Sequence, residues 1–211
     1  MRIFTKELPP IGTNAVLFID EALGQSIVFD APQGAYAWAS ALADKAGCKI
    51  TGLILTHGHW DHIIDAHRFA DAGIPTYAHR EDALLFESPD CMTEYAIPGL
   101  ELMPVSIRHW LEAGSTVEWL GRKMEVRHIP GHCPGNILIY SEDLSAAVVG
   151  DAIFAGSVGR YDLPGGDGLL LMESIRKQIY TLPEATTLYP GHGPTTTVGR
   201  EKHTNPFVRD Q

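Results

Sequence analysis

Seven residues of this chain have the side chains and the spacing to hold metal ions. His57, His59, Asp61 and His62 fall in the run Thr56-His57-Gly58-His59-Trp60-Asp61-His62. His132 stands in Pro130-Gly131-His132-Cys133-Pro134-Gly135, Asp151 ends Val148-Val149-Gly150-Asp151, and His192 stands in Pro190-Gly191-His192-Gly193. Imidazole and carboxylate together suit zinc, iron or manganese. In an extended stretch alternate side chains share a face, so His57 and His59 can reach one ion. Asp61 and His62 lie where the chain turns into a helix and can face a second. A lone histidine is ordinarily a hydrogen-bonded core or surface residue. A closed structural zinc site is the stronger competing reading for a cluster. Such sites are usually thiolate-rich, whereas this set has no cysteine and more ligands than one tetrahedral ion takes.

Two ions about 3.5–4 Å apart can share a water, turn it into hydroxide near neutral pH and polarise a carbonyl. No serine or cysteine nucleophile is then needed, and Ser157 is not in a nucleophile elbow. No dedicated general acid is evident. A thiolate leaves readily, since a free thiol has a pKa of about 8.5. Thioester or lactone hydrolysis therefore fits, and amide hydrolysis would ask more of the site.

The elements that must position these residues are short. Asn14 to Asp20 and Gln25 to Asp30 read as strands joined by a turn. Gly34 to Ala46 has helical spacing and a stop at Gly47. Ile50 to Leu55 is a buried-type strand leading into the Thr56 to Asp61 loop. His62 to Ala72 reads as one helix, and Ile74 to Ala78 as a strand. Residues 81–112 show no clear period. Strand patterns return at Ser115 to Leu120, Lys123 to Ile129, Asn136 to Tyr140 and Ala146 to Val149. Leu169 to Tyr180 reads as a helix, Thr187 to Tyr189 as a strand, and the tail is polar. This alternation argues for α/β layers. His132, Asp151 and His192 each follow a strand, beside glycine, and strand ends converge on one edge of a layered domain.

The chain has 211 residues, 45% of them hydrophobic, which is the size of one domain spanning 1–211. Its net charge of −10, without a Lys/Arg run, speaks against a nucleic-acid partner. Three cysteines, Cys48, Cys91 and Cys133, form no CxxC pair, so a reducing compartment is expected. The first residues lack a signal-like apolar region, and no apolar run is long enough for a bilayer. A cytoplasmic protein without membrane association is the expectation.

The succession HxHxDH, PGHxPG, GD and PGHGP resembles the metallo-β-lactamase superfamily, and within it the small bacterial glyoxalase II-type (hydroxyacylglutathione hydrolase-like) members. Gly150-Asp151-Ala152-Ile153-Phe154-Ala155-Gly156-Ser157-Val158-Gly159-Arg160, Leu163-Pro164-Gly165-Gly166-Asp167 and Asn205-Pro206-Phe207 look like that subgroup. The likeness covers nearly the whole chain. It implies an αββα sandwich with the metal site at one edge of the two sheets. It also implies a first ion on His57, His59 and His132, a second on Asp61, His62 and His192, and Asp151 as the bridge. Asp61 and Asp151 are then the carboxylates at the reacting centre. Two divalent ions are implied, zinc first, with iron or manganese as alternatives.

The implied reaction is hydrolysis of S-D-lactoylglutathione to D-lactate and glutathione, with a small glutathione-derived thioester as partner. Arg160 and Tyr161 are the residues expected at the substrate. Asp30 resembles a family aspartate that supports the ligands. No helical C-terminal region of the kind that helps relatives hold glutathione is expected after His192. Cys133, Asn136 and Tyr161 depart from the subgroup, which often has Thr, His and Thr there. Cys133 reads as a buried thiol, with a ligand role as its rival. His128 is the nearest additional histidine, and Trp60 reads equally as pocket wall or core. One rival reading is a persulfide dioxygenase-like enzyme with a single iron on His57, His132 and Asp151. The other is a hydrolase of another ester or lactone.

Overall fold

The computed structural model describes residues 1–209. It divides into two compact units, Met1–Leu111 and a second from Glu112 onward.

The first unit is a mixed six-stranded sheet in the order β1-β2-β3-β4-β5-β6. Strands β1 (Arg2–Leu8), β2 (Thr13–Asp20) and β3 (Gln25–Phe29) form an antiparallel meander. Helix α1 (Ala35–Lys45) then crosses over to β4 (Lys49–Ile54), which runs parallel to β3. A parallel neighbour cannot be reached by a tight turn, so a helix supplies the return. Ala35 and Ala39 bring α1 close to the sheet over Leu17, Val28 and Leu53. Helices α2 (Trp60–Ile63) and α3 (Ala66–Asp71) lead to β5 (Thr76–His79). Helix α4 (Ala83–Glu87) precedes β6 (His109–Leu111), and β4, β5 and β6 are parallel.

The single helix expected from His62 to Ala72 is thus two, and Asp65 explains the break. Its backbone N–H donates sideways to the Ala31 carbonyl (2.8 Å) instead of to the preceding turn. Its carboxylate accepts from the N–H groups of Gly34 and Tyr36 (2.9 and 3.2 Å), satisfying the start of α1. The segment 81–112 holds α4 and 3-10 turns at Arg80–Asp82 and Pro89–Tyr95.

The second unit is another mixed six-stranded sheet, ordered β14-β13-β10-β9-β8-β7. Strands β7 (Thr116–Trp119), β8 (Arg122–His128), β9 (Ile137–Ser141) and β10 (Ala146–Gly150) are antiparallel in turn. A small hairpin, β11 (Ile153–Phe154) with β12 (Ser157–Val158), follows. Helix α5 (Gly168–Ser174) continues as a π-helical turn over Ile175–Ile179. Leu171, Ile175 and Ile179, four residues apart, bury one stripe against Leu138, Val149 and Leu188. Strand β13 (Thr187–Pro190) lies parallel to β10, and β14 (Thr196–Thr197) and α6 (Val198–Thr204) complete the unit. The polar tail therefore contains a helix whose Val198 and Glu201 are buried.

No helix among the described residues is long and apolar enough to cross a membrane. Cys48, Cys91 and Cys133 are free thiols, and Cys133 is buried.

Candidate metal centre

Four of the seven donors belong to the first unit. Strand β4 ends at Ile54, and the chain then runs through Leu55 and Thr56 to an extended His57-Gly58-His59 before α2 begins at Trp60. His57, His59, Asp61 and His62 are all buried, as is Trp60. The ring of His57 lies 4.8 Å from that of His59 and 4.1 Å from that of His62, centre to centre. The Oδ2 atom of Asp61 is 3.4 Å from His62 Nε2 and accepts a 2.6 Å hydrogen bond from Thr13 Oγ1.

Asp30 organises this group from beneath. One carboxylate oxygen accepts from the Thr56 backbone N–H (2.7 Å), the other from the Thr56 hydroxyl and from His62 Nδ1 (both 2.8 Å). A carboxylate only accepts, so Nδ1 of His62 carries the proton and Nε2 carries the lone pair that a metal needs. The Thr56 proton goes to Asp30, so the Thr56 oxygen accepts from His57 Nδ1 at 3.1 Å. That fixes His57 in the same tautomer. Asp30 sits at φ +58°, a left-handed conformation that aspartate tolerates better than most residues. Asp30 thus ties His62 to the backbone and hydroxyl of Thr56.

Asp82 holds the loop from the other side, accepting from the Gly58 N–H at 2.9 Å. A β-carbon at Gly58 would stand 2.5 Å from Leu85 Cβ, so glycine is required there. Nothing in the sequence pattern pointed to Asp82 or Thr13.

The other three donors belong to the second unit. His132 leaves β8 on the Pro130–Gly135 turn and is buried. Its Nδ1 donates to the Arg160 backbone carbonyl at 2.6 Å, which again leaves the lone pair on Nε2. Asp151 directly follows β10 and His192 follows β13, and Gly191 N–H donates to the Gly150 carbonyl (2.9 Å) beside them. Oδ2 of Asp151 lies 3.7 Å from His132 Nε2 and 3.4 Å from His192 Nε2. One carboxylate oxygen between two imidazoles is the arrangement that a shared ligand needs. Asn136 holds Asp151 in place: its Oδ1 accepts from Asp151 N–H (3.2 Å) and its Nδ2 donates to the Val149 carbonyl (3.3 Å).

Gly159 is pressed against this group. A β-carbon there would fall 1.8 Å from the Asp151 carbonyl oxygen and 3.0 Å from His132 Nδ1. Phe154 sets its ring edge-on to His192 at 5.8 Å. His128 Nε2 donates to the Pro134 carbonyl of the same turn at 2.6 Å, since a carbonyl only accepts.

All seven residues belong to groups of donors able to hold a metal ion. The buried nitrogen and carboxylate donors, with tautomers fixed by Asp30, Thr56 and the Arg160 carbonyl, fit a divalent ion of the zinc, iron or manganese class.

The two residues expected at the substrate lie on the surface of the second unit. The Arg160 guanidinium makes a two-pronged pair with Asp162 (2.8 and 2.9 Å). Those hydrogen bonds hold the Asp162 carboxyl below the ordinary carboxylate range. Tyr161 is 45% exposed and lines a groove of about 470 Å³ with Leu169, Met172 and Phe207. The remaining histidines have ordinary surroundings: His67 bonds the Ile64 carbonyl, His79 accepts from the Glu81 N–H, His109 stacks on Tyr77, and His203 pairs with Glu184.

Residues 8–192 match the family model of the metallo-beta-lactamase superfamily, a span that ends on the last of the seven donors. The chain belongs to the metallo-β-lactamase superfamily. Its two mixed sheets with flanking helices are the superfamily's α/β fold. It is similar to the crystal structure of the BLEG-1 B3 metallo-β-lactamase, with 31% identity, TM-score 0.90, and 99% of this chain and 100% of that one covered. It is similar also to TTHA1623 in a di-iron-bound form, with 35% identity, TM-score 0.81, and 97% and 100% covered. Among relatives of known role, hydroxyacylglutathione hydrolase GloC of Haemophilus influenzae is 35% identical over 162 residues, 75% of this chain and 76% of that protein.

Proposed function

We propose that this superfamily member is a metal-dependent hydrolase of thioesters, of glyoxalase II type, acting on S-D-lactoylglutathione or a close analogue. The observation that carries the reading is the complete donor set, with each of three imidazoles oriented by a second hydrogen bond, in a chain 35% identical to a hydroxyacylglutathione hydrolase. His57, His59 and His132 would hold one ion, and Asp61, His62 and His192 the other, with Asp151 shared. When bound, such ions supply Lewis acidity and an ionised water near neutral pH.

The chain's own residues do the rest. Asp30 and Thr56 keep two imidazoles in the ligating tautomer, and the Arg160 carbonyl does so for a third. Asp61, whose Oδ2 is held by Thr13, and Asp151, whose backbone is held by Asn136, would bring negative charge that offsets the cations. A departing thiolate needs no protonating side chain, so the reaction does not depend on a dedicated acid. Arg160 and Tyr161 are the residues proposed to meet the thiol portion of the substrate.

The di-iron relative gives iron a specific claim as the resident metal, and the rival reading is a persulfide dioxygenase with a single iron on His57, His132 and Asp151. The lactamase neighbour does the same for β-lactams. Protein of known metal content should be assayed in parallel on S-D-lactoylglutathione, on glutathione persulfide with an oxygen electrode, and on a chromogenic cephalosporin. Thioester cleavage dominating the three supports the proposal. Oxygen uptake with persulfide, or turnover of the cephalosporin alone, overturns it.

A further inference from the structure

Glu201 is a fully buried carboxylate in α6, outside the donor set and outside every motif of the sequence. A buried carboxylate is costly unless its oxygens are satisfied. Here they are. One oxygen accepts from the Thr196 hydroxyl (2.5 Å), and the other from Gly156 N–H and Asn205 Nδ2 (both 2.9 Å). Asn205 Nδ2 also donates to the Ser157 carbonyl at 2.9 Å. Arg200 Nε lies 4.0 Å away at the surface side. Gly156 lies in the turn of the β11–β12 hairpin and Ser157 opens β12, so two side chains of the C-terminal segment bolt the tip of the hairpin down.

The hairpin and the Gly159–Arg160 stretch that follows it touch all three donors of the second unit. It begins two residues after Asp151, and Gly159 just beyond it abuts the Asp151 carbonyl. Phe154 packs edge-on to His192, and the carbonyl of Arg160 receives the proton of His132 Nδ1. A turn held by two satisfied hydrogen bonds fixes where these contacts fall. A loosened turn lets Phe154 and the Arg160 carbonyl drift together.

We propose that Glu201 is a positioning residue for the metal centre, acting through the hairpin on His132, Asp151 and His192. The inference rests on the metal-centre reading above. It gives a role to a carboxylate in the core of α6, whose loss would leave the Gly156 N–H, the Thr196 hydroxyl and Asn205 Nδ2 short of an acceptor. Glutamine fits the same role: its carbonyl can face Gly156 and Asn205 while its amide donates to Thr196.

The test is a zinc titration of metal-free full-length protein, by competition with a chromophoric chelator, alongside thermal unfolding of the metal-free form. Glu201→Ala should weaken zinc binding by about 10-fold or more, the usual effect of losing an outer support of a metal ligand. Glu201→Gln should restore binding to near the wild-type level. Asn205→Ala, which releases Ser157, should weaken it as well, and serves if Glu201→Ala does not fold. Thr196→Val cuts a bond of the same carboxylate that does not reach the hairpin. It should lower the unfolding temperature and leave zinc affinity unchanged. If Glu201→Ala, Asn205→Ala and Thr196→Val all lose thermal stability with wild-type zinc affinity, Glu201 is structural only and the inference fails alone. Wild-type protein that takes up no zinc, iron or manganese overturns the metal-centre reading and the inference with it.

Discussion

The proton on His132 Nδ1 goes to the backbone carbonyl of Arg160, 2.6 Å away and 28 residues further along the chain. The residue between that carbonyl and the hairpin is Gly159, whose missing side chain makes room for the Asp151 carbonyl. Gly159→Ala should therefore disturb His132 and Asp151 at once. Overpacking of this kind costs about 1–3 kcal/mol. The expected outcome is a lower unfolding temperature and a reduced metal content, read by calorimetry and elemental analysis. Full metal loading in a stable Gly159→Ala protein would show that this contact is slack.

Asp30 offers a cleaner test of imidazole orientation. Asparagine keeps the left-handed backbone but has only one accepting oxygen for the Thr56 N–H, the Thr56 hydroxyl and His62 Nδ1. Asp30→Asn should weaken metal binding by about 10–100-fold with little change in fold. Circular dichroism and a metal titration on the same sample check both halves.

Asp151 and Asp61 should differ in what their loss does. Asp151 Oδ2 lies 3.7 and 3.4 Å from the Nε2 atoms of His132 and His192, whereas Asp61 Oδ2 is committed to a hydrogen bond from Thr13. A shared carboxylate offsets repulsion between two cations, and a terminal one serves a single ion. Asp151→Ala should abolish binding of both ions together, while Asp61→Ala should lose one. Equal loss of one ion in both variants contradicts the sharing.

Arg160 carries a prediction about substrate. Its guanidinium is paired with Asp162, so an anionic substrate must compete with an internal carboxylate. Arg160→Ala should raise KM for a glutathione thioester several-fold with kcat less affected, and Asp162→Asn should lower KM. That split marks uniform binding rather than stabilisation of the transition state. Unchanged KM in both variants removes Arg160 from the substrate.

The donors were legible in the sequence because their chemistry is local. Four lie within six residues, and the others sit beside glycine at strand ends. Their supports were not. Thr13 reaches Asp61 across 48 residues, and Asp82 reaches Gly58 across 24, each from an ordinary-looking stretch. The hydrophobic runs marked the central strands β2, β3 and β10, which are buried over most of their length, and β4, whose second half is buried. Strand β1 has mostly exposed side chains and therefore little pattern. Helix α6 went unseen because its one turn of contact with the core uses Val198 and a buried glutamate. The break at Asp65 comes from a carboxylate committed to α1, a partner that no local pattern shows.

The central claim is a two-ion centre that hydrolyses thioesters. The most direct measurement is elemental analysis of wild-type and His192→Ala proteins, grown with ample zinc, iron and manganese, joined to turnover of S-D-lactoylglutathione by the same samples. The account predicts close to two ions per wild-type chain, and loss of one ion together with most activity in His192→Ala. A reproducible single iron in the wild type, with His192→Ala keeping both that iron and the activity, would contradict it.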